Sequence, residues 1–423
     1  MEPFNILTLL IFLSAVFGYL NVRFLKLPET IGLMIMAIVF STILIILNHF
    51  FSPVLKLAEE ILVRINFTDV VLNIMLCFLL FAGALHTDIS LMMKERKSII
   101  LFSVAGVLIS TFIVGALLSL GLSLTGIKVD FMYCLLFGAL ISPTDPIAVL
   151  GILTKAGVPK NIEIKIVGES LFNDGIGVVV FIITYELTMM GAGTFDLGHT
   201  LALFAREAIG GLLFGWLLGY VSFKFLRSID NYQTEIMITL AVVMGGNFLA
   251  REMHISGPLA IVVAGLFIGS RAKGDAISDT TKLYVGKFWE VVDVIMNAVL
   301  FVLIGLNIIL LQFSMAYLYV AVLTVPLVLL ARYLSILLPS AVLKKWIEMD
   351  RNTRLIMTWG GLRGGLSIAM ALSLPASPQR DILVFITYGV VLFSIIVQGL
   401  TIEKLTLSLF KKPKKKELAA VND

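Results

Sequence analysis

Residues 168–181 read GESLFNDGIGVVVF. They stand inside a long apolar run, yet they carry Glu169, Asn173 and Asp174 within six positions. On a helix Glu169 and Asn173 share one face, four residues apart, while Ser170 and Asp174 share the neighbouring face about 100° round. The four side chains therefore make one polar stripe. Gly175 and Gly177 keep the adjacent surface thin enough for another backbone to approach. A patch made only to bond helices together would be served by Ser and Asn. Two carboxylates point to chemistry instead.

The surroundings of this stretch define the solvent. The chain has 423 residues, of which 59% are hydrophobic and 14% charged, and its mean hydropathy is +1.02. Soluble proteins carry about a quarter charged residues. The reading is an all-α polytopic membrane protein, because apolar runs long enough to cross roughly 30 Å of hydrocarbon recur along the whole chain. They fall at about 4–20, 30–49, 69–85, 98–124, 131–154, 166–185, 200–223, 235–250, 257–270, 286–312, 315–343, 353–374 and 380–408. The ninth is short, so twelve helices are the alternative to thirteen. The first follows Glu2 rather than a basic region, and no small-x-small cleavage site follows it, so it is expected to stay as a helix. Cys77 and Cys134 both lie in apolar segments and read as packing residues, with neither a disulfide nor a metal centre indicated.

Lys and Arg accumulate on the cytoplasmic side of membrane proteins. With the amino terminus outside and thirteen segments, 24 of the 32 basic residues fall on the inner side, five on the outer side, and Arg206, Arg332 and Arg363 in the membrane. A miscounted helix would scramble that sorting. Both the orientation and a cytoplasmic carboxyl terminus rest on it. The tail 411–423, KKPKKKELAAVND, reads as a solvated topology signal, with an anionic-lipid or regulator site as the other reading. The expected domain layout is one transmembrane unit over 1–410 and a short basic tail over 411–423.

Ionisable residues at membrane depth are costly and mark function. Two more clusters accompany the opening stretch. In SPTDP (142–146), Pro143 and Pro146 bracket Thr144 and Asp145 in the middle of the fifth segment. Each proline removes a backbone donor and disturbs the preceding turn, and unwound backbone is tolerated at that depth only inside protein or beside a wet cavity. Freed carbonyls, the Thr144 hydroxyl and the Asp145 carboxylate are hard oxygen ligands that suit a small cation. In GGLRGG (360–365), four glycines flank Arg363 where an ordinary helix would be continuous. Its guanidinium needs a partner, and Glu169 is the expected one. Arg206 with Glu207, and Arg332, are assigned to structure, the last to carbonyls between helices. His49, His86, His199 and His254 sit at segment ends and read as solvated interface residues. The two broken segments lie seven helices apart and so run in opposite directions, as an inverted repeat would place them.

SPTDPIAVL, GESLFNDGIGVVVF, SGPLAIVVAGLFIG and GLRGGLSIAMALSLP resemble, in order, the motifs of the monovalent cation:proton antiporter-1 family, the sodium/proton exchangers. The resemblance spans essentially the whole chain up to the tail. It implies a homodimer in the cell membrane, with an elevator-like core of helices at about 98–185 and 315–408. A dimerisation scaffold would comprise helices at about 4–85 and 235–312, with a linker helix at 200–223. It also implies that Asp174 is the shared cation and proton site, Asn173 its uncharged neighbour, and Thr144 and Ser170 oxygen donors, so that Na+ would sit at Asp174, Thr144 and Ser170. Glu169 and Arg363 match the family's structural ion pair. Where many relatives carry an acidic residue in LLFAGAL, this chain has Ala82, which leaves coordination to water or Asp145.

The expected function is electroneutral exchange of one monovalent cation, Na+ or Li+, for one H+, with K+/H+ exchange as the alternative. No cofactor and no nucleic-acid partner is expected. A channel would need a filter repeated around a pore, and a hydrolase would need a Ser with a membrane-depth His or a zinc motif. The sequence offers neither.

Overall fold

The computed structural model describes all residues except 1–2, 48–58, 60–61, 63–64, 146–152, 154–157, 191–195, 273–277, 345–348 and 411–423. Pro146, His49 and the basic tail lie outside the described residues. The rest is helix joined by short turns, with no strand among the described residues. In lipid an isolated segment satisfies its backbone groups only as a helix, so uniformly apolar runs fold this way.

Ten described helices are long and apolar enough to cross a membrane. They are α1 (Pro3–Leu20), α2 (Glu29–Leu47), α3 (Phe67–His86), α4 (Arg96–Thr125), α6 (Lys160–Met190), α7 (Leu197–Ser228), α8 (Tyr232–Glu252), α10 (Asp279–Leu306), α11 (Met315–Val342) and α14 (Pro378–Phe410). Two shorter apolar helices are α5 (Phe131–Ile141) and α9 (Gly257–Ala272), and a further segment is split into α12 (Arg351–Trp359) and α13 (Gly365–Leu372). Each of the thirteen apolar runs falls on one of these helices or on the split pair.

Helix starts follow local chemistry. Asp130, Asp196, Asn231, Ser278, Asp350 and Ser377 each accept a backbone N–H from the first turn of α5, α7, α8, α10, α12 and α14. These residue types satisfy donors that the helix itself leaves open. At Asp350, burial acts to raise the pKa, but hydrogen bonds from the Thr353 hydroxyl and nearby backbone amides outweigh it and hold the carboxyl below its ordinary value. Several helices outrun their apolar cores. Lys165, just before the sixth apolar run, lies inside α6, buried, with Nζ 3.2 Å from Glu95.

Two packing groups emerge. Helices α4, α5, α6, α11, α13 and α14 pack on one another, as do α1, α2, α3, α8, α9 and α10, with α7 lying along α9. The fifth segment stops being helical after Ile141, and residues 142–145 are unwound. The split between α12 and α13 covers residues 360–364. The two breaks meet: Asp145 N donates to Leu362 O at 2.8 Å, an isolated antiparallel bridge.

Candidate ion site at the crossing

Each break strands carbonyls that a continuous helix would have satisfied. At the first, Arg363 meets the need: its Nη1 donates to Ser142 O, and to Pro143 O at 2.8 Å. The second is held by a π-helical turn of α14, Ser394–Gln398. Arg363 N donates to Ser394 Oγ at 2.9 Å, and Gln398 Nε2 donates to Trp359 O at 2.9 Å. One break thus supplies the donors that the other lacks, with the π turn behind both. Glycine is required for this approach, because a Cβ at Gly364 would lie 2.5 Å from Asp145 Oδ2 and one at Gly361 would lie 2.7 Å from Arg332 Nε.

The geometry corrects the expected ion pair. Glu169 is bound by Arg332 of α11, Nη1 to Oε1 at 2.5 Å and Nη2 to Oε2 at 2.9 Å, and Arg332 also donates to Met357 O at 3.3 Å. Arg332 had been assigned to carbonyls alone, and Arg363 to Glu169. The roles are exchanged for a physical reason: the guanidinium nearest the two broken chains is taken by their carbonyls, whereas Arg332 presents its planar fork to the carboxylate edge. The carbonyls of residues 142 and 143, read from sequence as open cation ligands, are consequently occupied by Arg363.

Three of the expected site residues are joined directly. Asn173 Nδ2 donates to Thr144 Oγ1 at 2.8 Å, and Thr144 N donates to Asn173 Oδ1 at 3.3 Å. Ser170 Oγ lies 3.1 Å from Thr144 Oγ1. All three side chains are buried, so the Asn173 amide acts as a clamp that fixes unwound residue 144 to α6. Asn173 was expected in the cation and proton site, as the uncharged neighbour of Asp174.

Asp145 and Asp174 are only partly buried, and both line a cavity of about 740 Å3. Its walls come from α3, the non-helical Pro143 and Asp145, α6, α10 and α13, so it lies between the two packing groups. Lys160, Glu163, Asp88, His86 and Glu290 also line it. Ala82 is in the wall. Among the described residues no group of three or more His, Cys, Asp or Glu could hold a metal ion. At the crossing itself the hard oxygens are the Asp145 and Asp174 carboxylates and the Thr144 and Ser170 hydroxyls.

Sequence reasoning missed two features. Glu290 and Asp293, three residues apart on α10, line the cavity, and two carboxylates inside the apolar run 286–312 were the available signal. His86, read as a solvated segment end, also lines the cavity, with Nδ1 2.8 Å from Ala82 O.

Comparison with known proteins now bears on this site. The family model described as sodium/hydrogen exchanger, transmembrane, matches residues 11–407. The chain is 49% identical over 403 residues to the Na(+)/H(+) antiporter NhaP of Pseudomonas aeruginosa, covering 94% of this chain and 95% of that one. It is 34% identical to the Na(+)/H(+) antiporter NhaH of Halobacillus dabanensis, covering 92% and 93%. Its fold is similar to that of the sodium proton antiporter MjNhaP1 from Methanocaldococcus jannaschii, with a TM-score of 0.74 at 22% identity over 97% of this chain and 100% of that one. A family model matching residues 11–407 and a relative 49% identical over 94% of the chain place it in the sodium/hydrogen exchanger family.

Proposed function

We propose that this protein is a secondary transporter that exchanges a monovalent cation, Na+ first, for H+, with Asp174 as the shared site. The carrying observation is the contrast at the crossing: Asp174 opens into the cavity, while Glu169, five residues earlier on the same helix, is sealed by Arg332. A carboxylate at membrane depth with no permanent counter-charge is neutral when it holds either one proton or one monovalent cation. Empty, it carries the full desolvation cost of crossing a low-dielectric barrier and stays in place. Obligatory exchange follows from that asymmetry.

The corrected ion pair keeps the charge balance. Glu169 cancels Arg332, and Asp145, next to the carbonyls that Arg363 holds, formally offsets the Arg363 charge. One charge equivalent remains, on Asp174, so exchange is one for one and electroneutral. Thr144 Oγ1 accepts from Asn173, so with its own proton turned to Ser170 Oγ one lone pair on each hydroxyl remains for the cation.

The α4–α6 and α11–α14 group is the moving core of an elevator-like cycle in a homodimer, the remaining helices are the scaffold, and the two broken segments are related as inverted repeats. The cavity wall carries Lys160, and the basic residues nearby belong to the inner side of the charge sorting. The conformation described is thus open to the cytoplasm, with the amino terminus outside. The role that follows is control of cytoplasmic pH and Na+.

Reconstituted into proteoliposomes carrying a pH dye, the protein should move protons when a Na+ gradient is imposed, and Li+ and K+ gradients rank its preference. With the potential clamped by K+ and valinomycin, imposed voltage alone should drive no net exchange. Voltage-driven exchange would require a second proton on the cycle, with Asp145 as its carrier.

A further inference from the structure

Buried hydroxyls in this protein are generally bonded to their own helix. Ser103, Thr111, Thr184, Thr324 and Thr387 each donate to the carbonyl four residues earlier, at 2.7–2.9 Å. Such back-bonding is the usual resting place of Ser and Thr in apolar helices. Ser367 is denied it. It is the third residue of α13, so the position four before it is Arg363, inside the break.

The Ser367 hydroxyl is fully buried and has no hydrogen-bond partner among the described residues. Ser14, Tyr388 and Thr406 also have unpartnered buried hydroxyls, but Ser367 alone of the four is in the wall of the cavity that holds Asp145 and Asp174. Packing does not account for it. The same helix fills its other small positions with Gly365, Ala369 and Ala371, which occupy little volume and leave no polar group to satisfy.

We propose that Ser367 Oγ is a ligand of the transported cation, a specificity-determining oxygen supplied by the second broken segment. The inference rests on the reading that Asp174 is the exchange site. A hydroxyl brings a hard, neutral oxygen that suits Na+ and Li+, and its rotor can turn either a lone pair or the O–H into the site. Because it adds no charge, it leaves the one-for-one balance intact. It also places a donor from α13 opposite a third helix whose Ala82 offers none. The ordered break therefore has a second consequence beyond admitting Asp145: it frees one hydroxyl from its own helix.

The test compares wild type, Ser367→Ala, Ser367→Cys and Asp174→Asn in proteoliposomes, after gel filtration to verify folding. Cation dependence of proton movement is read for Na+ and Li+ at fixed pH. Ser367→Ala should raise the apparent KM for Na+ about fivefold to tenfold, the scale of one lost polar contact, with the maximal rate nearly unchanged and the Na+ to Li+ ratio shifted. Ser367→Cys, which keeps the volume but offers a soft sulfur, should behave like Ala. Unchanged KM values and ratio, or a fallen maximal rate alone, would overturn the proposal. Retained exchange in Asp174→Asn would instead bring down the reading beneath it, and the inference with it. As a check that does not use transport, the Ser367→Cys variant with Cys77 and Cys134 replaced by Ala should react more slowly with a small thiol reagent when Na+ is present. Na+-independent labelling counts against the assignment.

Discussion

Glu169 and Asp174 are five residues apart on α6, and their surroundings have almost nothing in common. Glu169 is 1% exposed and gripped by two bonds from Arg332, whereas Asp174 faces a cavity of about 740 Å3. Between them, Ser170 and Asn173 tie α6 to the unwound residue 144. The difference teaches that helix spacing brings polar groups to one region, but the partner across the interface decides what each is for. A carboxylate closed by a guanidinium is part of the frame. One that opens to a cavity can exchange what it holds.

The sharpest way to break this comparison is to neutralise each carboxylate in turn. Asp174→Asn should abolish exchange and leave the yield of folded protein unchanged, as read by proteoliposome assay and gel filtration. Glu169→Ala and Arg332→Ala should each leave a buried charge unpaired, at a cost of about 3–5 kcal/mol, and should appear as lost folded yield and a lowered melting temperature. An inactive but fully stable Glu169→Ala protein would erase the distinction between the two sites.

Arginine-to-lysine exchanges sharpen it further, with smaller effects. Arg363 donates to two carbonyls, a task that an ammonium can partly perform, while Arg332 meets both oxygens of Glu169 through a planar fork. Arg332→Lys should therefore lower the melting temperature more than Arg363→Lys. The reverse order would restore Glu169 to Arg363.

The sequence made much of this legible, for reasons that differ from residue to residue. Apolar runs of membrane length marked the helices, because lipid allows so few alternatives to them. Pro143 and the glycines of 360–365 marked both breaks. Pairing was harder to read: Arg332 and Arg363 both stand in apolar segments, and only the approach of α11 at Gly361 and of the unwound residues 142–145 at Gly364 decides which guanidinium takes the carboxylate. Asp293 and Glu290 stood in plain view in the tenth run, but nothing local to α10 says that its acidic face turns toward α6. The use of Ser367 depends on the residue four before it lying in the break, which a residue list does not reveal.

At the small end of the scale lies the cap of the split segment. The Asp350 carboxylate, held below its ordinary pKa by Thr353 and backbone amides, contributes stability above the unfolded carboxylate range. That contribution is lost as pH falls through its lower folded value. Asp350→Ala should cost about 1 kcal/mol at neutral pH and flatten the acid side of the stability profile, measured by thermal melts across pH. A variant that melts as wild type does at every pH would remove the cap from the account.

The central claim is that cation and proton compete for one carboxylate of the cavity wall, Asp174. The measurement that tests it most directly is the Na+ dependence of exchange in proteoliposomes at a series of pH values. The account predicts an apparent KM for Na+ that rises as pH falls while the maximal rate at saturating Na+ holds steady, the behaviour of two ligands sharing Asp174. An apparent KM that stays flat while the maximal rate collapses would contradict it and locate pH control at a separate group.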